Sequence, residues 1–156
     1  MRYVMLLALL VAGCGKEIGD ECIIGSDCDP NGERSCDTSS RGGYCTIQGC
    51  DFNTCPEEAA CIRFFTGRFE NRCCGPDCEM RVDCSLDELC SLAGSCVPRS
   101  SVVRYCMRQC DGNDDCRDGY ECRDLALMRA HGGEPVLAPG QTVDSSSPKF
   151  CASSPD

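Results

Sequence analysis

CGPDCEMRVDCSLDELC at residues 74–90 and CMRQCDGNDDCRDGYEC at residues 106–122 carry one cysteine spacing, C-x3-C-x5-C-x5-C. Dense cysteines create some regularity by chance, but three identical intervals in a row are rarely accidental, so the spacing marks a repeated unit. Working outward, a looser form of the unit recurs along the chain: a cysteine, four or five residues, a second, five to seven residues, a third, then a more distant fourth. It reads Cys22, Cys28, Cys36, Cys45; then Cys50, Cys55, Cys61, Cys73; then Cys78, Cys84, Cys90, Cys96; and last Cys110, Cys116, Cys122, Cys151. Aspartate precedes the second cysteine in three of the units, as Asp27, Asp83 and Asp115. Cys74 and Cys106 are left over, each four positions before the first cysteine of its unit, and are expected to bridge units three and four. Spacing alone does not give the remaining connectivity.

Composition agrees with a covalent framework. Of 156 residues 19 are cysteine, there is no tryptophan, and the formal net charge is −10. From residue 14 onward only 22 of 143 residues are Leu, Ile, Val or Phe, about 15%. Without cysteines such a chain would be read as disordered. With them it is read as a small secreted fold in which cross-links replace a large core. The fold class expected is therefore small and disulfide-rich: tandem cysteine-rich modules of short β-hairpins and turns with little helix. Gly42-Gly43, Asp111-Gly112, Asp118-Gly119 and Gly132-Gly133 supply turn signals. Residues 57–60, after Pro56, and residues 85–89, with Ser85 and Glu88 as a capping box, are expected as single helical turns. Residues 124–130 are expected as a short helix or strand. The rest of the loop 123–150 is rich in Gly, Pro and Ser, and is expected to protrude from a tied base.

The N-terminus is an address. Residues 3–12 (YVMLLALLVA) are apolar without interruption, half the length a helix needs to cross a bilayer and about that of a signal-peptide h-region. The run ends in LVAGC at residues 10–14. This resembles the lipobox of bacterial lipoproteins, which implies cleavage before Cys14 and a diacylglycerol and an N-acyl chain (palmitate in kind) on that residue. Removing Cys14 from an odd cysteine count leaves an even one, as a fully bridged protein requires. Multiple acyl chains give stable anchoring. In that family the residues after the lipid cysteine sort the protein, and Gly15-Lys16 resembles the outer-membrane kind. The domains read as a signal peptide at 1–13, a lipidated tether at 14–21, modules one and two at 22–73, and modules three and four at 74–156. The alternative is an ordinary signal peptide, with Cys14 as a disulfide partner. No later segment is apolar enough to span a membrane.

Candidate chemistry is sparse. Structural zinc and thioredoxin-like redox sites both lack their C-x2-C, and the single histidine, His131, lies away from the cysteine clusters. Asp27, Asp29 and Asn31, followed by Gly32, place oxygen ligands at alternate positions, which resembles the start of EF-hand and thrombospondin type 3 calcium loops. The twelfth position is Thr38, so the bidentate glutamate is missing, and an acidic surface turn is the competing reading. Asp111, Asn113 and Asp115 repeat the alternation. Nucleophilic catalysis needs a base that one loop histidine does not supply, so no enzyme and no cofactor beyond the covalent lipid are expected. The acidic balance excludes nucleic acid.

One basic aromatic stretch stands out. Arg63, Phe64, Phe65, Arg68 and Phe69 flank Thr66-Gly67, which reads as a hairpin turn. They are candidates for a binding patch, or else the phenylalanines are the nearest thing to a core. The first unit resembles Dickkopf-type N-terminal cysteine-rich domains, and CCGPDC at residues 73–78 resembles the CC-x3-C of whey-acidic-protein inhibitors. Neither partial match transfers a binding residue. The functional expectation is a lipid-anchored envelope protein acting as a binding module, with an envelope or extracellular protein as partner. A protease inhibitor presenting an arginine such as Arg68 or Arg129 on a rigid loop is one alternative, and a purely structural envelope protein is another.

Overall fold

The computed structural model describes residues 15–73 and 84–155. The elements, in chain order, are α1 (Gly25–Cys28), β1 (Ser35–Asp37), β2 (Tyr44–Thr46), β3 (Ala59–Phe65), β4 (Glu88–Cys90), β5 (Cys96–Pro98), β6 (Val102–Arg108), β7 (Tyr120–Arg123), α2 (Leu125–His131), β8 (Glu134–Pro135) and β9 (Phe150–Ser153). All strand pairings are antiparallel: β1 with β2, β4 with β5, β7 with β9, and a sheet ordered β6-β3-β8. The protein is a small disulfide-rich assembly of short hairpins, as its composition implies.

Eight bridges engage all sixteen described cysteines: 22–36, 28–45, 50–61, 55–106, 73–90, 84–96, 110–122 and 116–151. They follow one rule. In each unit two cysteines face each other across a hairpin, at Cys36↔Cys45, Cys61↔Cys106, Cys90↔Cys96 and Cys122↔Cys151. These facing pairs are never bonded to each other. Each reaches back instead to one of two cysteines on the segment that leads into the hairpin, first to third and second to fourth.

The rule corrects the unit boundaries that spacing suggests. Cys106 does not join units three and four; it is the fourth cysteine of unit two, bound to Cys55. Cys73 belongs to unit three, bound to Cys90. Unit three is therefore inserted into the hairpin of unit two, between β3 and β6, and Thr66-Gly67 is no hairpin turn. Thr66 N–H instead donates to the Ser101 carbonyl, where the chain returns from the insertion (3.0 Å). Cys74, Cys78 and Asp83 lie outside the described residues, as does Cys14.

Local chemistry repeats with the bridges. In every unit the carbonyl one residue past the second cysteine accepts the N–H three residues on: Asp29 from Gly32, Pro56 from Ala59, Ser85 from Glu88 and Arg117 from Tyr120. The expected helical turns at 57–60 and 85–89 are these turns, and strands β3 and β4 follow them at once. Half of the capping box survives, with Glu88 Oε2 accepting from Ser85 N–H (3.1 Å). The aspartate before the second cysteine has the same task in the two units where it is described. Asp27 Oδ2 accepts from the amides of Ile23 and Ile24 (2.8 and 3.1 Å), and Asp115 Oδ2 from those of Asp111 and Gly112 (2.7 and 3.2 Å). In unit two Thr54 Oγ1 accepts from Asp51 N–H in their place (2.7 Å).

These backbone donors hold the carboxyls of Asp27 and Asp115 below the ordinary carboxylate range. A depressed folded-state pKa adds stability above the ordinary value, and that stability disappears as pH falls through the folded-state value. Asp27→Asn and Asp115→Asn are thus expected to lower Tm modestly at neutral pH. The gap from wild type should close in acid, as pH falls through the lowered folded-state range of these carboxyls. A gap independent of pH, in a Tm series from neutral to acid, would contradict this role.

The core is shared. Ile18, Tyr44, Ile62, Met107, Tyr120, Met128 and Phe150 bring together units one, two and four and the segment ahead of unit one. That segment, read as a tether, is part of the fold from Lys16 onward. Ile18 is fully buried, Gly19 N–H donates to Cys45 O (2.9 Å), and the Arg34 guanidinium donates to Lys16 O. Units one and four dock through stacked Tyr44 and Tyr120 rings (5.5 Å), with the Arg117 guanidinium 4.2 Å over Tyr120.

The first half of the long loop does not protrude, although residues 139–142 and 144–146 are exposed. Asp124 caps α2 by accepting from Ala126 and Leu127 N–H (both 3.0 Å). Buried Arg123 then takes the carbonyls of His131 and Gly132 at the helix end (2.9 and 3.0 Å). Gly133, at φ +86°, lies so close to the Phe150 and Phe64 rings that a Cβ would meet them at 2.5 and 2.9 Å. The chain is thereby laid against β3 as β8.

Candidate binding groove

Two irregular segments face each other across an open groove of about 850 Å3. One wall is the turn Ser91–Gly94 of the inserted unit, closed by Ser91 N–H to Ser95 O (2.8 Å) and Gly94 N–H to Ser91 O (2.9 Å). The other is the long loop at 136–143. It is tied to β3 by Val136 N–H to Cys61 O (2.8 Å) and turned at Pro139-Gly140 by Gln141 N–H to Ala138 O (3.1 Å).

The floor is an ion pair that periodicity gives no hint of. Glu134 is 3% exposed, and its Oε2 accepts from both Nε and Nη2 of Arg63 (3.0 and 2.7 Å). Its Oε1 accepts from Leu92 N–H of the inserted unit. One buried carboxylate therefore joins β8, β3 and the opposite wall, with both oxygens used, as a buried charge requires. Leu92, Val136, Leu137 and Val143 line the sides, and Arg72 and Arg129 stand at the rim. Neither rim arginine forms an ion pair among the described residues. An acidic protein thus keeps a groove with apolar side chains on both walls, polar ones among them, and a basic mouth.

The five basic aromatic candidates separate here. Arg63 lines the groove. Phe64 turns inward, edge-on to Phe150 at 6.0 Å and tilted to Tyr105 at 6.4 Å, so for it the core reading holds. Phe65 is half-buried, with the Arg63 guanidinium 5.9 Å over its ring. Phe69 folds over Gly67, and Arg68 is exposed; neither reaches the groove.

The calcium candidates do not converge either. Asp27 is spent on the amides of Ile23 and Ile24, while Asp29 accepts from Asn31 and Glu33 N–H (2.9 and 3.0 Å). In the second alternation Asn113 Oδ1 accepts from Cys122 N–H (2.8 Å). These are turn-closing bonds. Cysteine sulfurs do cluster in threes within 4.8 Å in each unit, but every one belongs to a disulfide and offers no thiolate to a metal.

No protein-family model, curated protein or solved structure matches this chain.

Proposed function

We propose that the protein is a lipid-anchored binding module of the cell envelope, carried on Cys14 and placed at the outer membrane. Its groove takes an extended, acidic segment of a partner protein. The observation that supports this reading most is where the groove comes from. Its two walls are the two largest departures from the repeating hairpin, the insertion in unit two and the long loop of unit four. Both are held by buried Glu134 on a frame of bridges. Variable loops on a rigid scaffold are the usual seat of binding. Apolar walls with a few fixed polar groups suit a ligand held by shape and oriented by charge. No catalytic group is assigned. Of the two arginines offered for protease inhibition, Arg129 stands in α2 rather than in an extended loop, which leaves that reading to exposed Arg68.

The test has two parts. Intact mass of the membrane-extracted protein, alkylated without reduction, should show a chain beginning at Cys14, with added lipid and no alkylated thiol. A peptide display on the purified protein should enrich acidic, extended sequences. Arg72→Glu with Arg129→Glu should weaken them about tenfold, as two rim charges each worth up to about 1 kcal/mol imply. Failure to enrich any sequence would return the purely structural envelope role, and equal binding by the variant would overturn the part given to the rim arginines.

A further inference from the structure

Ile23 and Ile24 are consecutive and 82% and 58% exposed, in a chain that has few large apolar side chains to place. A single exposed isoleucine needs no explanation, but this pair is held out on a rigid tip. Cys22 and Cys28 bound the tip, each bridged to a different strand of the first hairpin. Both isoleucine amides are already bonded to Asp27 Oδ2, so the two side chains can enter an apolar layer without stranding their own backbone donors.

The same tip borders the point where the chain leaves toward Cys14. Lys16 crosses its base, donating its N–H to Cys28 O (3.1 Å) and its Nζ to Glu21 O (2.7 Å). Beyond Lys16 only Gly15, exposed and resting on the Cys28 carbonyl, precedes Cys14. Two trans peptide steps span at most about 7.6 Å, so a lipid on Cys14 enters the bilayer beside this tip and not at the end of a free tether.

We infer that Ile23 and Ile24 insert into the bilayer surface next to the lipid anchor and fix how the body stands on the membrane. This rests on lipidation of Cys14. A lipid chain alone lets the body pivot about one residue. A second contact, with side chains reaching about 5–10 Å into the headgroup and acyl boundary, prevents that.

The absence of tryptophan makes the test direct. Membrane-extracted Ile23→Trp and Ile24→Trp proteins, confirmed by mass to carry lipid, are placed in zwitterionic vesicles containing brominated acyl chains. Their emission should move to the blue and fall to roughly half, as expected of a side chain at that depth. Leu86→Trp, at a fully exposed position of the inserted unit, should keep water-like emission. Water-like emission from both isoleucine variants overturns the inference while the anchor stands, as does equal quenching at all three positions. A blue shift that persists without vesicles means another protein segment covers the tip, which also overturns it. Absence of lipid on Cys14 is a separate result, and it removes the anchor reading together with this one.

Discussion

Replacing both Cys55 and Cys106 by alanine should cost about 4 kcal/mol in non-reducing denaturant unfolding, the chain-entropy value for releasing a loop of this size. The bridge closes 51 residues, the largest separation among the described disulfides, and the whole inserted unit lies inside that loop. The Cys84–Cys96 bridge, with a separation of 12, gives about 3 kcal/mol by the same relation and serves as the comparison. The gap should exceed the entropy difference, because Cys106 is also fully buried where units one and two meet. There its carbonyl accepts from Thr46 Oγ1 (2.8 Å), and its N–H donates to Ile47 O (2.9 Å). The inserted unit keeps its own bridges, so Cys73–Cys90 and Cys84–Cys96 should still be found by peptide mapping of the variant. Equal losses from the two double replacements would mean that unit three is not nested within unit two.

That nesting marks the limit of what could be read beforehand. A cysteine count set against scarce apolar residues gives the fold class, and the aspartates before Cys28 and Cys116 were visible as a pattern before their bonds were known. Spacing, however, is a local property. It groups Cys73 with the cysteines before it and leaves Cys106 over, because nothing near Cys106 announces a partner 51 residues earlier. The misread turns have a different cause. The central residues of a type I turn have nearly helical dihedrals, so Pro56 and the Ser85 and Glu88 pair signal the same first turn whether a helix or a strand follows. The groove was hidden for both reasons. Arg63 was singled out for its company of phenylalanines, yet its work is with Glu134, 71 residues on. Gly132-Gly133 reads as a turn signal, when Gly133 is what lets the chain pass against Phe150 and set Glu134 in place.

The second large effect is expected at Gly43, and its neighbour supplies the control. Gly42 and Gly43 turn the first hairpin at almost the same dihedral, φ +71° and +70°, so alanine at either carries the same left-handed strain. At Gly42 that strain is nearly all there is, since the nearest foreign atom to a Cβ is Arg117 Nη1 at 3.9 Å; Gly42→Ala should cost about 1–2 kcal/mol. At Gly43 a Cβ would sit 1.9 Å from the Cys22 carbonyl oxygen, a backbone atom with no rotamer to escape into. Something must move by more than an ångström, and every candidate is fastened. Cys22 is bridged to Cys36, and its N–H donates to Gly42 O (3.3 Å). The Gly43 carbonyl accepts from Arg117, which packs on the Tyr44 and Tyr120 pair joining units one and four. Gly43→Ala should therefore exceed about 4 kcal/mol, the range reached only when a packed structure is forced apart. It should also reduce the yield of correctly formed Cys22–Cys36. Denaturant midpoints and disulfide mapping of the two variants side by side decide the matter: a Gly43→Ala loss no greater than that of Gly42→Ala would mean that strain alone acts there. Because Ile23 follows Cys22 directly, the carbonyl that excludes a side chain at Gly43 also fixes where the exposed isoleucine tip begins.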